Sequence, residues 1–313
     1  MKKTAGIHHI TAIVGHPQEN ADFYAGVLGL RLVKKTVNFD DPGTYHLYFG
    51  NEAGDPGTIM TFFNWAGAYP GKIGDGQVGV TAFAIPKGSF SFWEDRLQSF
   101  HIPFTIKKRF NERYLSFSDP HGLQLELVER ENVPANSWSF SGITPKEAIN
   151  GFAVATLLSS NPEETAGLLM EMGFKQIGKE DDMIRFQSEA SIGNQIDLKF
   201  TPTGRGSMGV GVVHHIAFRA IDDYDQQEWS KLLRQKGFHV TPVQDRNYFN
   251  SIYFQEPGEI LFEIATDPPG FAVDESLKTM GSSLMLPPQY EQFRDRLNSA
   301  LIPFTVRERR GNE

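Results

Sequence analysis

The sequence predicts an α+β protein of two domains, built from four paired βαβββ modules that form curled mixed-sheet cups. Three observations lead there. The chain has 313 residues, about twice an ordinary domain. One order of elements, a strand, a helix and then further strands, recurs four times. Two His-His pairs open modules in near-identical contexts, Gly6-Ile7-His8-His9-Ile10 and Val212-Val213-His214-His215-Ile216.

The first module starts with strand alternation from Ile7 to Val14. Helical spacing follows from Pro17 to Gly29 (Phe23, Val27, Leu28), with a glycine suited to a helix end, then strand patterns over Tyr45 to Phe49 and Thr58 to Phe63. The second runs through Val78 to Ile85, Phe90 to Phe100, Tyr114 to Ser118 and Leu123 to Glu129. The third is weaker: Phe152 to Leu158, Pro162 to Gly173, Met183 to Gln187 and Gln195 to Phe200. The fourth takes Val212 to Arg219, Gln227 to Gly237, Ser251 to Gln255 and Glu259 to Ala265. The polar stretch Asn132 to Lys146 divides an N-terminal domain, residues 1–131, from a C-terminal one, residues 149–313. A helical tail from Gln289 to Ala300 is placed to cover the mouth of a cup. One such module cannot bury both faces of its sheet, so modules pair, and the concave cup between them is where a ligand goes.

Composition narrows the function. A net charge of −8 argues against nucleic-acid or anionic-membrane partners, which select basic surfaces. There is no cysteine, so thiolate chemistry and cysteine metal sites are excluded, and any metal must sit on His, Asp or Glu. No apolar run reaches the roughly 18 residues of a membrane span. A cytoplasmic protein acting on small molecules is the expectation, and self-association into a homo-oligomer stays open.

Side chains alternate along a strand, so one member of each His pair is expected to face the cup, His9 and its counterpart His215, with His8 and His214 turned away. The closing strands carry carboxylates, Glu126 in the second module and Glu263 in the fourth, each in an apolar strand where an unpaired charge is costly. The opening strands of modules two and three have no His. Pairing module one with module four therefore gathers His9, His215 and Glu263, and leaves Glu126 in a metal-free cup. At the place of Glu263 in module one, the register from Pro56-Gly57 gives Phe62, so three ligands are expected instead of four. Two His and one carboxylate with open positions suit non-haem Fe(II) and oxygen, although Zn or Mn fits the same ligands.

At these residues the chain resembles the vicinal oxygen chelate (glyoxalase, bleomycin resistance, dioxygenase) superfamily, and within it the hydroquinone-type ring-cleaving dioxygenases. The likeness rests on the Gly6 to Val14 opening, the stretch Asn38 to Gly50, the strand His214-His215-Ile216-Ala217-Phe218, the run Phe262 to Asp267 with Pro269-Gly270-Phe271, and Leu286-Pro287-Pro288. It implies Fe(II)-dependent insertion of both atoms of O2 into a hydroquinone- or catechol-like ring, in aromatic catabolism. The better-known extradiol catechol enzymes take their ligands from modules three and four, a departure that puts catechol itself in doubt. Those enzymes carry a Tyr ten positions before the Glu ligand, which corresponds to Tyr253. Strand matching sets Tyr48 opposite Tyr253, and alternation puts His46 beside Tyr48. His46 is the expected acid/base group, on the ground of a near-neutral imidazole pKa. His16, His101, His121 and His239 lie in turn or helix-end contexts and are expected to be solvated. The alternatives are a glyoxalase-type metal-dependent lyase or isomerase, and a non-catalytic small-ligand binding protein on the same fold.

Overall fold

The computed structural model describes residues 2–311. Its strands fall into four groups. Module one gives β1 (Ile7–Val14), β2 (Arg31–Val37), β3 (Tyr45–Gly50) and β4 (Ile59–Asn64). Module two gives β5 (Gln77–Pro86), β6 (Phe104–Arg109), β7 (Glu112–Ser118) and β8 (Gln124–Arg130). Module three gives β9 (Gly151–Leu158), β10 (Lys175–Glu180), β11 (Met183–Gln187) and β12 (Gln195–Lys199). Module four gives β13 (Val212–Ala220), β14 (Gln244–Asp245), β15 (Phe249–Gln255) and β16 (Leu261–Pro269).

These strands form two eight-stranded sheets, ordered β14-β15-β16-β13-β1-β4-β3-β2 and β10-β11-β12-β9-β5-β8-β7-β6. Module one thus joins module four through antiparallel β1 and β13, and module two joins module three through β5 and β9. Each sheet draws on both halves of the chain, in the one-plus-four pairing that the distribution of histidines requires.

Alternation sorts the faces. Ile10, Phe62, Phe218 and Ile264 leave the back of the first sheet and enter one apolar cluster. That cluster also holds Tyr24, the helix residues Trp93 and Leu169, and Phe83 and Phe152 of the second sheet. The opposite, concave face of the first sheet carries a smaller lining with Tyr48, Ala217, Phe249, Ala265 and Phe271. The core therefore lies behind the sheets and fixes them, while the concave faces stay available for polar groups.

The helical stretch after β1 is α-helical over Pro17–Ala21 and continues as a π-helix over Asp22–Val27. The tail is split into two short helices, Pro288–Glu291 and Arg294–Ala300. Tyr290 at its start donates from Oη to the Phe39 carbonyl at 2.8 Å, which ties the tail to the loop at the mouth of the first cup.

In the seam between β1 and β13 strict alternation fails at two points. In the β1/β13 ladder Ile7 pairs with Phe218 and His9 with Ala217, so His8 is an extra residue. Thr11 pairs with His215 and Ala12 with Val213, so His214 is another. Both are β-bulges, which re-aim the side chain of the added residue. The second sheet repeats the device at Gly79 and Ala153, where Val80 and Val154 hold the places of His9 and His215.

Candidate metal centre

β1, β13 and β16 bring His9, His215 and Glu263 together at the floor of the first cup. They form the one group of three His, Asp or Glu side chains, among the described residues, whose donor atoms converge within 4.8 Å. His9 Nε2 lies 3.3 Å from His215 Nε2 and 3.3 Å from Glu263 Oε2, and His215 Nε2 lies 2.9 Å from the same oxygen. All three side chains are buried, Glu263 completely.

Glu263 Oε1 accepts a hydrogen bond from Ser251 Oγ. Its Oε2 is buried with no aligned donor, and leaving such a charge unpaired costs several kcal/mol. Burial alone would raise the Glu263 carboxyl, but His9 and His215 outweigh it and hold the group well below the usual carboxylate range. Burial pulls His215 below its ordinary value, against the attraction of Glu263. Two imidazole nitrogens and an orphaned carboxylate oxygen facing one point are the donor set a divalent cation fits.

The bulges give each inner His a partner. His8 Nδ1 lies 2.9 Å from His9 Nδ1, and His214 Nδ1 lies 2.8 Å from His215 Nδ1. One nitrogen of each pair must carry the proton. If Nε2 of the inner residue is to offer its lone pair, its Nδ1 is the donor and the outer His accepts. Burial keeps both acceptors neutral, His8 well below its usual value and His214 down to about 3. His8 and His214 were expected to point away. They pack instead against Phe249 and Phe63, which line the cavity above the centre.

That cavity has a volume of about 30 Å³ and is walled by His46, Tyr48, Arg246, Tyr253, Asn38, Phe39 and Asp40 with the two inner histidines. It has room for a water or two, whereas a pocket that takes a benzene ring is on the order of 150 Å³. Arg246 reaches across the mouth to Asp40 at 3.2 Å, and its Nε donates to Tyr253 Oη at 3.3 Å. The cavity is therefore smaller than an aromatic ring, with Arg246 and Asp40 across its mouth. Arg246 escaped the sequence reading; it sits in a turn-rich stretch, and no spacing rule marks it.

Tyr253 and His46 do face the cup, with Tyr48 between the two walls. Tyr48 Oη is 2.9 Å from His46 Nδ1, His46 Nε2 is 2.8 Å from Thr61 Oγ1, and Thr61 Oγ1 is 2.8 Å from Thr11 Oγ1. Both ring nitrogens of His46 are thus occupied. Burial, reinforced by His9, sets the pKa of His46 well below 6.5, which replaces the near-neutral imidazole expected from sequence. Burial raises both Tyr48 and Tyr253, so both keep their protons. His121 also departs from expectation: its ring is covered, 3.3 Å from Glu19, while His16, His101 and His239 are exposed.

Glu126 lies in the second cup, with the Arg109 guanidinium and the Lys107 ammonium for partners. Arg109 Nη2 is 2.6 Å from Glu126, and its Nε is 2.9 Å from Asp197. Arg185 binds Asp197 with Nε at 2.6 Å and Nη2 at 2.8 Å. Arginines fill this cup where the first leaves three bare donors.

The model of the Glyoxalase/Bleomycin resistance protein/Dioxygenase superfamily matches residues 6–127 and again 151–273. The chain belongs to this superfamily. Among relatives in it, the Bacillus subtilis protein named "Putative ring-cleaving dioxygenase MhqO" is 65% identical over 308 residues, covering 98% of this chain and 99% of that one. The Sphingobium indicum chlorohydroquinone/hydroquinone 1,2-dioxygenase is 36% identical over 315 residues, covering 95% of each chain. A crystal structure from Bacillus subtilis superposes with a TM-score of 0.98 at 65% identity, covering 99% of this chain and 100% of its own. The superfamily's two matches fall on the two halves of the chain, so its repeat is the pair of modules read from the sequence.

Proposed function

We propose that the protein is an Fe(II)-dependent ring-cleaving dioxygenase that inserts O2 into a hydroquinone-like ring. One observation carries the reading: His9, His215 and Glu263 converge as three bare donors in a chain alike from end to end to a named hydroquinone 1,2-dioxygenase. A bound Fe(II) would take its protein ligands from these three and would supply open positions at which a phenol and O2 meet.

The remaining residues supply positioning and proton movement. A phenol that binds as its anion releases a proton into a cavity with room for a water or two. His46, kept neutral by burial, can take that proton at Nδ1 through the Tyr48 hydroxyl and hold it, with Nε2–H donating to Thr61 Oγ1, until it returns the proton to the product. Tyr253 keeps its proton and can donate a hydrogen bond to developing negative charge, with Arg246 orienting its hydroxyl. Phe63, Phe249 and Phe39 give the ring apolar walls.

The test is anaerobic reconstitution with Fe(II), followed by O2 uptake with hydroquinone, catechol and the methylglyoxal–glutathione adduct as separate substrates. Uptake of one O2 per hydroquinone with loss of the aromatic absorbance supports the reading. Turnover of the glutathione adduct without O2 would replace it with the lyase.

A further inference from the structure

Residues Asn38 to Thr44 form part of the rim of the first cup. Asn38 follows the edge strand β2, which stands three places from β1 and its His9 in the sheet. The curl of the sheet brings both to one cavity, so Asn38 lines it on the side away from the three donors.

Hydrogen bonds hold this segment along its length. Asn38 N donates to the Thr44 carbonyl at 2.8 Å, and Thr44 N to the Asp41 carbonyl at 3.0 Å. The Asp41 carboxylate accepts from Thr44 Oγ1 at 3.0 Å and from Trp65 Nε1 at 2.9 Å, and the Phe39 carbonyl accepts from Tyr290. Inside this frame Asp40 N donates to Asn38 Oδ1 at 2.9 Å. A backbone N–H needs an acceptor, so Oδ1 must face the turn and Nδ2 takes the other side of the amide. Asn38 is only 6% exposed, yet among the described residues Nδ2 has no acceptor and is not one of the polar atoms sealed off from solvent. A fixed, buried side chain thus offers a free N–H donor to the cavity. Other polar groups in the wall are already engaged, His46 with Tyr48 and Thr61, and Arg246 with Asp40 and Tyr253.

We propose that Asn38 donates to the second oxygen of a para-diol, which makes it the residue that selects hydroquinones over monophenols. The inference rests on the reading of the first cup as a phenol site at a metal centre. A ring with one oxygen directed at His9, His215 and Glu263 carries its para position across the cavity, towards the rim. Hydroquinone has an oxygen there and phenol has none. Catechol has its second oxygen beside the first, out of reach of Asn38. Asp40 stands two residues on, and its carboxylate can accept the proton of the same hydroxyl. Its bond to Arg246 is a surface ion pair, with the Asp40 side chain 74% exposed, and such pairs contribute little.

The test is anaerobic calorimetry on the Fe(II)-loaded protein, with hydroquinone, para-methoxyphenol, phenol and catechol as separate ligands and circular dichroism as the folding control. Asn38→Ser keeps an acceptor for Asp40 N but no longer reaches the cavity. It should weaken hydroquinone roughly tenfold, the usual loss for one hydrogen bond, and leave phenol and catechol unchanged. Asn38→Asp keeps the turn and the shape and turns the donor into an acceptor. Hydroquinone, which can donate to the new oxygen, should keep its affinity, whereas para-methoxyphenol, which can only accept, should lose it. Wild-type affinity for hydroquinone in Asn38→Ser overturns the proposal, as does an equal loss for phenol, which would make Asn38 a residue of the turn alone. Should Asn38→Ser not fold, Asn38→Asp decides, and the same response to hydroquinone and para-methoxyphenol overturns the proposal. Binding is read without O2, so the two readings fail separately. Asn38-dependent binding of hydroquinone with no O2 uptake sinks the ring-cleaving activity and supports this assignment.

Discussion

The Nδ1 atoms of His214 and His215 lie 2.8 Å apart, although the two residues are neighbours on one strand. The bulge at His214 makes this contact, and the bulge at His8 makes its counterpart with His9. Partners that fix a ligand's tautomer typically change metal affinity by about 10- to 100-fold when removed. His8→Phe and His214→Phe should therefore still bind metal at full stoichiometry, with affinity lower by about that factor in a chelator competition. Wild-type affinity in both variants would mean that the outer rings only pack.

His9→Ala, His215→Ala and Glu263→Ala should each lose stoichiometric metal binding, measured on dialysed protein by elemental analysis. Two remaining donors are too few to hold a labile divalent ion against dialysis. Retention of full metal by any one of the three, with the fold intact by circular dichroism, would remove that residue from the centre.

Glu126→Gln should leave the metal content unchanged, because Glu126 faces Arg109 in the other cup. It should lower stability by a few kcal/mol, the cost of leaving a buried charge half paired. Chemical denaturation reads the second effect and elemental analysis the first. A Glu126→Gln protein that is depleted of metal contradicts the separation of the two cups.

His46→Ala and Tyr253→Phe should keep the metal and slow turnover. A placed acid/base group contributes about 10²- to 10⁴-fold, so the loss for His46→Ala should appear in kcat. Because burial keeps His46 neutral, its titration should be missing from the wild-type kcat profile around pH 6.5, and the acid limb should lie lower. A kcat for His46→Ala equal to wild type across that range would make His46 a packing residue.

The repeat of modules, the one-plus-four pairing and the convergence of His9, His215 and Glu263 were legible because histidine and glutamate are costly in apolar strands and recur in fixed contexts. The second strand of each module, β2, β6, β10 and β14, was not named from the sequence. β6 and β10 are mostly exposed edge strands with lysines and little apolar alternation to mark them, β14 is two residues long, and β2 is buried but carries Arg31, Lys34 and Lys35, which break its apolar pattern. The Phe62 assignment slipped by one residue because it was counted from a turn, whereas register is set by the ladder with β1. The outer histidines were misread because a bulge breaks period two and leaves no compositional trace. The pKa of His46 depends on packing from three other strands, which no local pattern contains.

The nesting of the modules also bears on how the chain is made. The second sheet is built from one uninterrupted stretch, β5 to β12, while the first sheet needs both ends of the chain. During synthesis His9 emerges early and Glu263 comes only with the last strand, so the inner cup can close while the first module waits with its concave face uncovered. On the proposed centre, capture of a metal would wait for β16, the last strand of the first sheet to be made. A chain stopped before β16 has a finished inner cup, two histidines at most, and no carboxylate with which to hold the ion.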